Sequence, residues 1–226
     1  DSWNPRTGIT YRLKDKGYAK LLYGQAFRAP NNWDLYSNSA DQVKNPDLAP
    51  EKIQTLETEF NYAFFNNFVT RINFYHNTIY DLILKSIILV DGTETGTKKN
   101  LGKMEVNGIE AEIRGKLFSD DHKFNINGFY NQSRDVYHGE DMFYIPDYGA
   151  VFLMNNHWTK GLNTNLQIRH IGEINRRKED SRAPLPATTT VNFSASYSIK
   201  NIRLKASVYN LSDTPVYTPS PYTILL

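Results

Sequence analysis

The sequence predicts an all-β fold, an antiparallel transmembrane β-barrel of about ten strands. Three observations predict it. Apolar and polar residues alternate with a period of two along most of the chain. The connections between alternating segments are by turns short and long, as where one end of a barrel faces the periplasm and the other the cell exterior. Aromatic residues gather beside the short turns, where rings sit between hydrocarbon and headgroup.

The first segment alternates Ile9, Tyr11 and Leu13 with Thr10 and Arg12, and residues 14–17 turn the chain. Ala19, Leu21 and Tyr23 carry the second segment into a long excursion, residues 23–51. There Pro30, Pro46 and Pro50 cannot donate to a sheet ladder and so bound the strands. Asn31, Asn32, Asp34, Asn38 and Asp41 are loop formers. Leu56, Thr58, Phe60, Tyr62 and Phe64 then face one way, with Glu57, Glu59 and Asn61 opposite. After a turn at Phe65, Asn66 and Asn67, Phe68, Ile72 and Phe74 oppose Arg71, Asn73 and Tyr75, and a loop is expected over residues 86–102.

Ile109, Ala111, Ile113 and Leu117 share the next face, against Glu110, Glu112, Arg114 and Lys116. Ser119, Asp120 and Asp121 turn the chain into a strand with Phe124, Ile126 and Tyr130 on one side. A loop over residues 137–147 leads to Val151 and Leu153 and down to Trp158. Thr159, Lys160 and Gly161 turn, and Leu162, Leu166 and Ile168 rise again. A basic loop spans residues 175–186. Val191, Phe193, Ala195, Tyr197 and Ile199 form the cleanest alternation, followed past Lys200 and Asn201 by Ile202, Leu204, Ala206 and Val208.

Composition narrows the function classes. The net charge of +2 gives no field for nucleic acid. Mean hydropathy is −0.55 although aromatics are 13% of the chain, which suits strands that are apolar on one face only. The absence of cysteine excludes disulfides and thiolate metal sites. No run reaches the roughly 18 apolar residues of a membrane helix. Residues 1–12 lack the apolar core of an export signal, so one is expected upstream. Rows such as Glu110, Glu112 and Arg114 require water or one another and are expected to line a wet lumen. The five histidines show no metal-ligand spacing, and no nucleophile elbow or phosphate-binding loop is present. No cofactor or metal is expected, and a loop tip at His138, Glu140 and Asp141 reads as solvated.

Two boxes bracket the long excursion: FRAP at residues 27–30 and NPDLAPEK at residues 45–52. This pair resembles the signature of TonB-dependent outer-membrane receptors. PRTGITYRL at residues 5–13, VNGIEAEIRGK at 106–116, YIPDYGAVF at 144–152 and VYNLSDTPVY at 208–217 follow in the order of that family's C-terminal part. The resemblance implies a single partial barrel domain over residues 1–226, its strands part of a wall of about 22. The plug domain, the coupling box and a last strand after residues 221–226 are expected to lie outside this sequence.

The resemblance further implies a bacterial outer-membrane receptor that imports a scarce nutrient by energy-coupled transport. Its implied partners are a ferric siderophore or similar large nutrient, the TonB coupling protein and outer-membrane lipid. Phe27, Arg28, Pro30, Asn45, Pro46, Leu48, Pro50 and Glu51 are the structural motif residues, with Arg28 and Glu51 expected to anchor the loop at the rim. Trp33, Tyr36, Tyr144, Arg176, Arg177 and Arg182 are the ligand candidates, because aromatics stack on flat groups and arginines pair with anions. Haem receptors of the family carry a histidine between the two boxes. Residues 31–44 contain none, which favours a siderophore and leaves Tyr36 as the oxygen donor there. Two alternatives stay open: a small closed barrel acting as an outer-membrane enzyme such as a surface protease, and a soluble β-rich binding domain.

Overall fold

The computed structural model describes residues 3–39, 42–65, 67–158, 161–178 and 180–219. The expected turn positions Asn66, Thr159 and Lys160, the loop former Asp41 and residues 221–226 lie outside them. Among the described residues ten strands follow one another through a single antiparallel sheet: β1 (Arg6–Arg12), β2 (Gly17–Arg28), β4 (Glu51–Phe64), β5 (Phe68–Val90), β6 (Thr93–Lys116), β7 (His122–Asp135), β9 (Tyr148–His157), β10 (Leu162–Ile171), β11 (Thr188–Ile199) and β12 (Ile202–Val208). Two short strands lie off this path: β3 (Gln42–Val43) beside β6, and β8 (Glu140–Asp141) beside β7. The sheet is open, one arc of a barrel wall.

Register shows why the sequence alternates. Directly opposed residues in an antiparallel sheet share a face, so pairings can be followed strand to strand. Phe64, Phe68, Gly115, Phe124, Met154, Leu166, Phe193 and Val208 form one continuous row. It lies on the lipid face and starts beside the short turn that joins β4 to β5. Phe64 stacks on Phe68 with ring centroids 5.6 Å apart, and Phe68 lies 5.8 Å from Phe124. Near the opposite end the same face carries Tyr130 paired with Tyr148, whose ring stacks on His170 at 5.9 Å. Aromatic rings therefore mark both membrane interfaces.

The other face is the lumen. Lys20, Glu59, Asn73, Glu110 and Phe129 form one of its rows. Its polar groups satisfy one another across strands: Tyr18 Oη donates to Glu59 Oε1 at 2.6 Å, and Arg71 pairs with Glu112 at 2.9 Å. Gly108 sits opposite Tyr75, and a Cβ there would lie 2.1 Å from the Tyr75 ring. Glycine is required at this point of the VNGIEAEIRGK box because a neighbouring aromatic covers its backbone.

Three expectations need correction. Residues 86–102 are not a loop: β5 and β6 stay paired up to Val90 and Thr93 and turn at Asp91 and Gly92. Both turn residues have positive φ, 49° and 77°, the type I′ geometry that Asp-Gly favours and that matches strand twist. β2 also continues past Tyr23 to Arg28, which places Phe27 and Arg28 within the sheet. Finally, the long excursion contains a helix, α1 (Asn32–Tyr36), where only loop is expected.

A candidate ligand-gathering rim

The long-connection end of the sheet carries two assemblies. The first grows from the FRAP box. Asn31 caps α1 by accepting from the Asp34 N–H at 2.8 Å, and Asp34 accepts from the Asn31 N–H at 3.2 Å. This reciprocal capping fixes a helix too short to persist alone. Asp34, 6% exposed, then gathers two cations from elsewhere in the chain: Lys98 Nζ at 2.5 Å and Arg28 Nη1 at 3.4 Å. Arg28 also grips Glu51 with two parallel bonds, Nε to Oε2 at 2.5 Å and Nη2 to Oε1 at 2.7 Å. Such a fork is among the stronger and more directional ion pairs. Glu51 closes the chain of contacts by accepting the Ile83 N–H at 2.9 Å.

The NPDL box completes this cap. β3 pairs in parallel with β6 at Gly96 and Thr97. Asn45 Nδ2 donates to the Lys98 carbonyl at 2.9 Å, and the Asn100 side chain exchanges two bonds with the Ala49 backbone at 2.8 and 2.9 Å. Leu48 is buried, while Pro46 is exposed and Pro30 and Pro50 half-buried at the loop's ends. The excursion and the β5/β6 extension are thus one layered cap. Asp34 faces the ion pairs, and Trp33 and Tyr36, three residues apart, stand 68% and 58% exposed. Close Lys98 and Arg28 bonding holds the Asp34 carboxyl below its ordinary value of 3.8, with the Lys98 bond the larger cause.

The second assembly joins residues 136–147 to residues 172–187. Tyr144 N–H donates to the Asn175 carbonyl at 2.8 Å, Ile174 and Leu185 exchange backbone bonds, and Leu185 is buried. Asp180 collects Arg182 at 2.5 Å and Arg176 at 3.6 Å. The bond from Arg182 is the main reason the Asp180 carboxyl falls to about 2. Arg177 lies over the Phe143 ring at 4.7 Å, a cation–π contact, and Lys178 pairs with Glu140. Glu179 lies outside the described residues.

A family model described as "TonB dependent receptor-like, beta-barrel" matches residues 1–211. This chain belongs to that family. The TonB-dependent receptor barrel resides in the bacterial outer membrane. Among known relatives, the catecholate siderophore receptor Fiu of Escherichia coli O6:H1 is 22% identical, over 93% of this chain and 29% of its own length. The metal-pseudopaline receptor CntO of Pseudomonas aeruginosa is 23% identical over 60% of this chain and 20% of its own. The chain therefore spans less than a third of the curated relatives it matches. The solved ferric enterobactin receptor PfeA of Pseudomonas aeruginosa, in complex with enterobactin, superposes with a TM-score of 0.80 at 19% identity, covering 93% of this chain and 35% of that one. The copper transporter OprC superposes at 0.74. All four are named as receptors or a transporter, and the surface-protease alternative gains no support.

Within this receptor barrel the six ligand candidates fall into two groups, Trp33 and Tyr36 on α1 and Tyr144, Arg176, Arg177 and Arg182 on the second assembly. Of the residues that position them, Arg28 and Glu51 are expected from the sequence and the others are not. Asp34 carried a usable signal, three residues after Asn31 in a capping pattern. Lys98, Asn100 and Phe143 carried none, because their partners are set by tertiary register, whereas Asp180 lies between Arg176 and Arg182 in a single loop, a local charge pattern.

Proposed function

We propose that this chain is part of a receptor that imports an iron–siderophore complex or a closely related metal chelate, energised through TonB. The supporting observation is the pair Trp33 and Tyr36, held outward on a helix whose acidic side is pinned by Lys98 and Arg28. A rigidly presented aromatic pair suits a ligand with flat aromatic donors, since less side-chain entropy is lost on binding. The relatives named as catecholate siderophore and metal-pseudopaline receptors support the same ligand class. Arg177 and Arg182 are the exposed arginines of the second assembly that meet a chelate's anionic groups, Arg176 being held inward by Asp180 and the Ala183 carbonyl, and TonB engages the receptor outside these residues.

The test is uptake of radiolabelled iron by cells that express the full-length receptor and lack other iron-chelate receptors. Ferric catecholates, ferric hydroxamates, ferric carboxylates and haem are supplied in turn. Uptake of one chelate class, abolished when TonB is deleted, is the expected result. Binding of none of the chelates, or uptake independent of TonB, would overturn the proposal.

A further inference from the structure

Past residue 82 the hairpin of β5 and β6 stands clear of β4, whose pairing with β5 ends at Lys52 and Tyr80. Two observations fix which backbone groups of β5 face outward there. The Ile83 N–H donates to the Glu51 carboxylate on the β4 side. At the tip, the two-residue turn makes Val90 and Thr93 a hydrogen-bonded pair. Even-numbered residues therefore bond to β6, and Lys85, Ile87 and Leu89 point their N–H and C=O groups away from it. Among the described residues these six groups meet no donor or acceptor. The side chains of Ile87 and Leu89 are 66% and 72% exposed. Natural sheets blunt such an edge with charge, proline or a bulge. Past Lys85 this one reads SIILV, residues 86–90, in unbroken register.

The opposite edge of the same hairpin is already covered. β3 pairs with β6, and Asn45 holds the Lys98 carbonyl, so residues 29–50 are committed to that side. From β5 toward β1, the next long connection is the one that enters β1. Trp3 and Asn4 line one cleft with Pro50 and Lys52 at the head of β4, and Lys52 Nζ lies 3.7 Å from Asp81 of β5. From β4 to β5 is one strand spacing, about 5 Å. The chain spans less than a third of the length of its curated relatives, which leaves ample polypeptide for a further strand.

We infer that the segment of the full-length receptor that precedes residue 1 runs beside β5 as an added strand, bonded to Lys85, Ile87 and Leu89. β5 rises toward its tip while β1 descends from the rim, so the chain entering β1 is antiparallel to β5, the more stable pairing. Gly96, opposite Ile87 on β6, offers it no side chain, so its cover comes from the free side. Residues of the added strand opposite Ile87 and Leu89 are therefore apolar. Both edges of the hairpin are then closed by connections of its own barrel. The inference rests on the reading of this chain as part of a longer receptor, and not on what that receptor imports.

Amide-resolved hydrogen exchange of the full-length receptor tests this without a ligand. Amides 85, 87 and 89 should be protected alongside 84, 86, 88 and 90. Replacing about eight residues before residue 1 by glycine and serine should speed exchange at 85, 87 and 89 by about tenfold or more and leave the even-numbered amides slow. Ile87→Pro removes one outward donor without touching the ladder to β6, and should free 85 and 89 alike. Fast exchange at 85, 87 and 89 in the wild type, or no change on replacement, would overturn the inference. Ser86→Cys identifies the occupant. Combined with single cysteines at successive positions before residue 1, it should close an intramolecular disulfide at positions two apart and not at those between. A disulfide-linked dimer of Ser86→Cys alone, or no bridge at any position, would count against it. A receptor that imports no chelate but forms these bridges loses the import reading and keeps the added strand.

Discussion

The two rim assemblies are each organised by a buried carboxylate, but they use it differently. Asp34 binds Lys98, 64 residues away on another hairpin, and Arg28 at the end of β2. Asp180 binds Arg182 and Arg176, its near neighbours in one loop. The first carboxylate ties separate elements together; the second folds a loop on itself. A cap of the first kind moves or holds as a unit, whereas a loop of the second kind responds alone.

Asp34→Ala should break this contrast most severely. It leaves Lys98, largely buried, without its anion, and should lower the opening free energy of the cap by about 2–3 kcal/mol. Hydrogen exchange should then rise together in residues 29–50 and 82–102. A rise in only one of them would show that the two are not coupled. Arg28→Ala should loosen the same cap and reduce uptake without preventing membrane insertion, read by surface labelling beside the uptake assay.

Ligand contacts sharpen the comparison at smaller magnitude. Trp33→Ala should weaken chelate binding by roughly fivefold, from loss of a stacking contact of about 1 kcal/mol. Arg177→Ala should weaken it by less, because the guanidinium face already rests on Phe143; titration of both variants with one ferric chelate checks the order. Gly92→Ala places a side chain at φ +77 with nothing near it. It should cost about 1 kcal/mol through backbone strain alone, seen as faster exchange at the hairpin tip with no change in residues 172–187.

Acid provides the mildest test. Both carboxyls are held below 3.8 in the folded state, so their contributions are complete above that value and are lost as pH falls through the folded one. For Asp180 that lower limit is about 2. Proteolysis by an acid-active protease at pH 3 should therefore leave residues 172–187 protected in the wild type, and Asp180→Asn should remove that protection. The first assembly, which contains no histidine over residues 29–50 and 82–102, should not respond between pH 5 and pH 8.

Much of the barrel wall was legible because a strand exposed to lipid on one face and water on the other must alternate, and nothing in the tertiary structure overrides that. Phe60 and Glu59 point oppositely in any register. The cap was not legible, for two separate reasons. Over residues 82–90 the chain leaves the membrane, both faces meet water or protein, and the alternation lapses although the pairing continues. The Asp91-Gly92 turn was the surviving local sign. The contacts of Asp34 with Lys98 and of Asn100 with Ala49 depend on how far one hairpin overhangs another, which no local pattern encodes. The candidate site was accordingly legible in its exposed aromatics and arginines, and illegible in what holds them.

β5 and β6 run for 23 and 24 residues, while about 9–11 residues cross a bilayer at a strand's usual tilt. Their register slips around Asp81, where φ is 58° and the backbone carbonyl is held by Asn100 at 2.7 Å. From that slip to the tip is a stiff arm of about 30 Å at the rise of a β-strand. A rotation of about 10° at its base would sweep the tip through roughly 5 Å. Lys98 pairs with Lys85 near the base of this arm, so the same swing would shift α1 by far less. Such a rotation would turn a large displacement at the tip, where Ile87 and Leu89 stand in water, into a small adjustment of Trp33 and Tyr36.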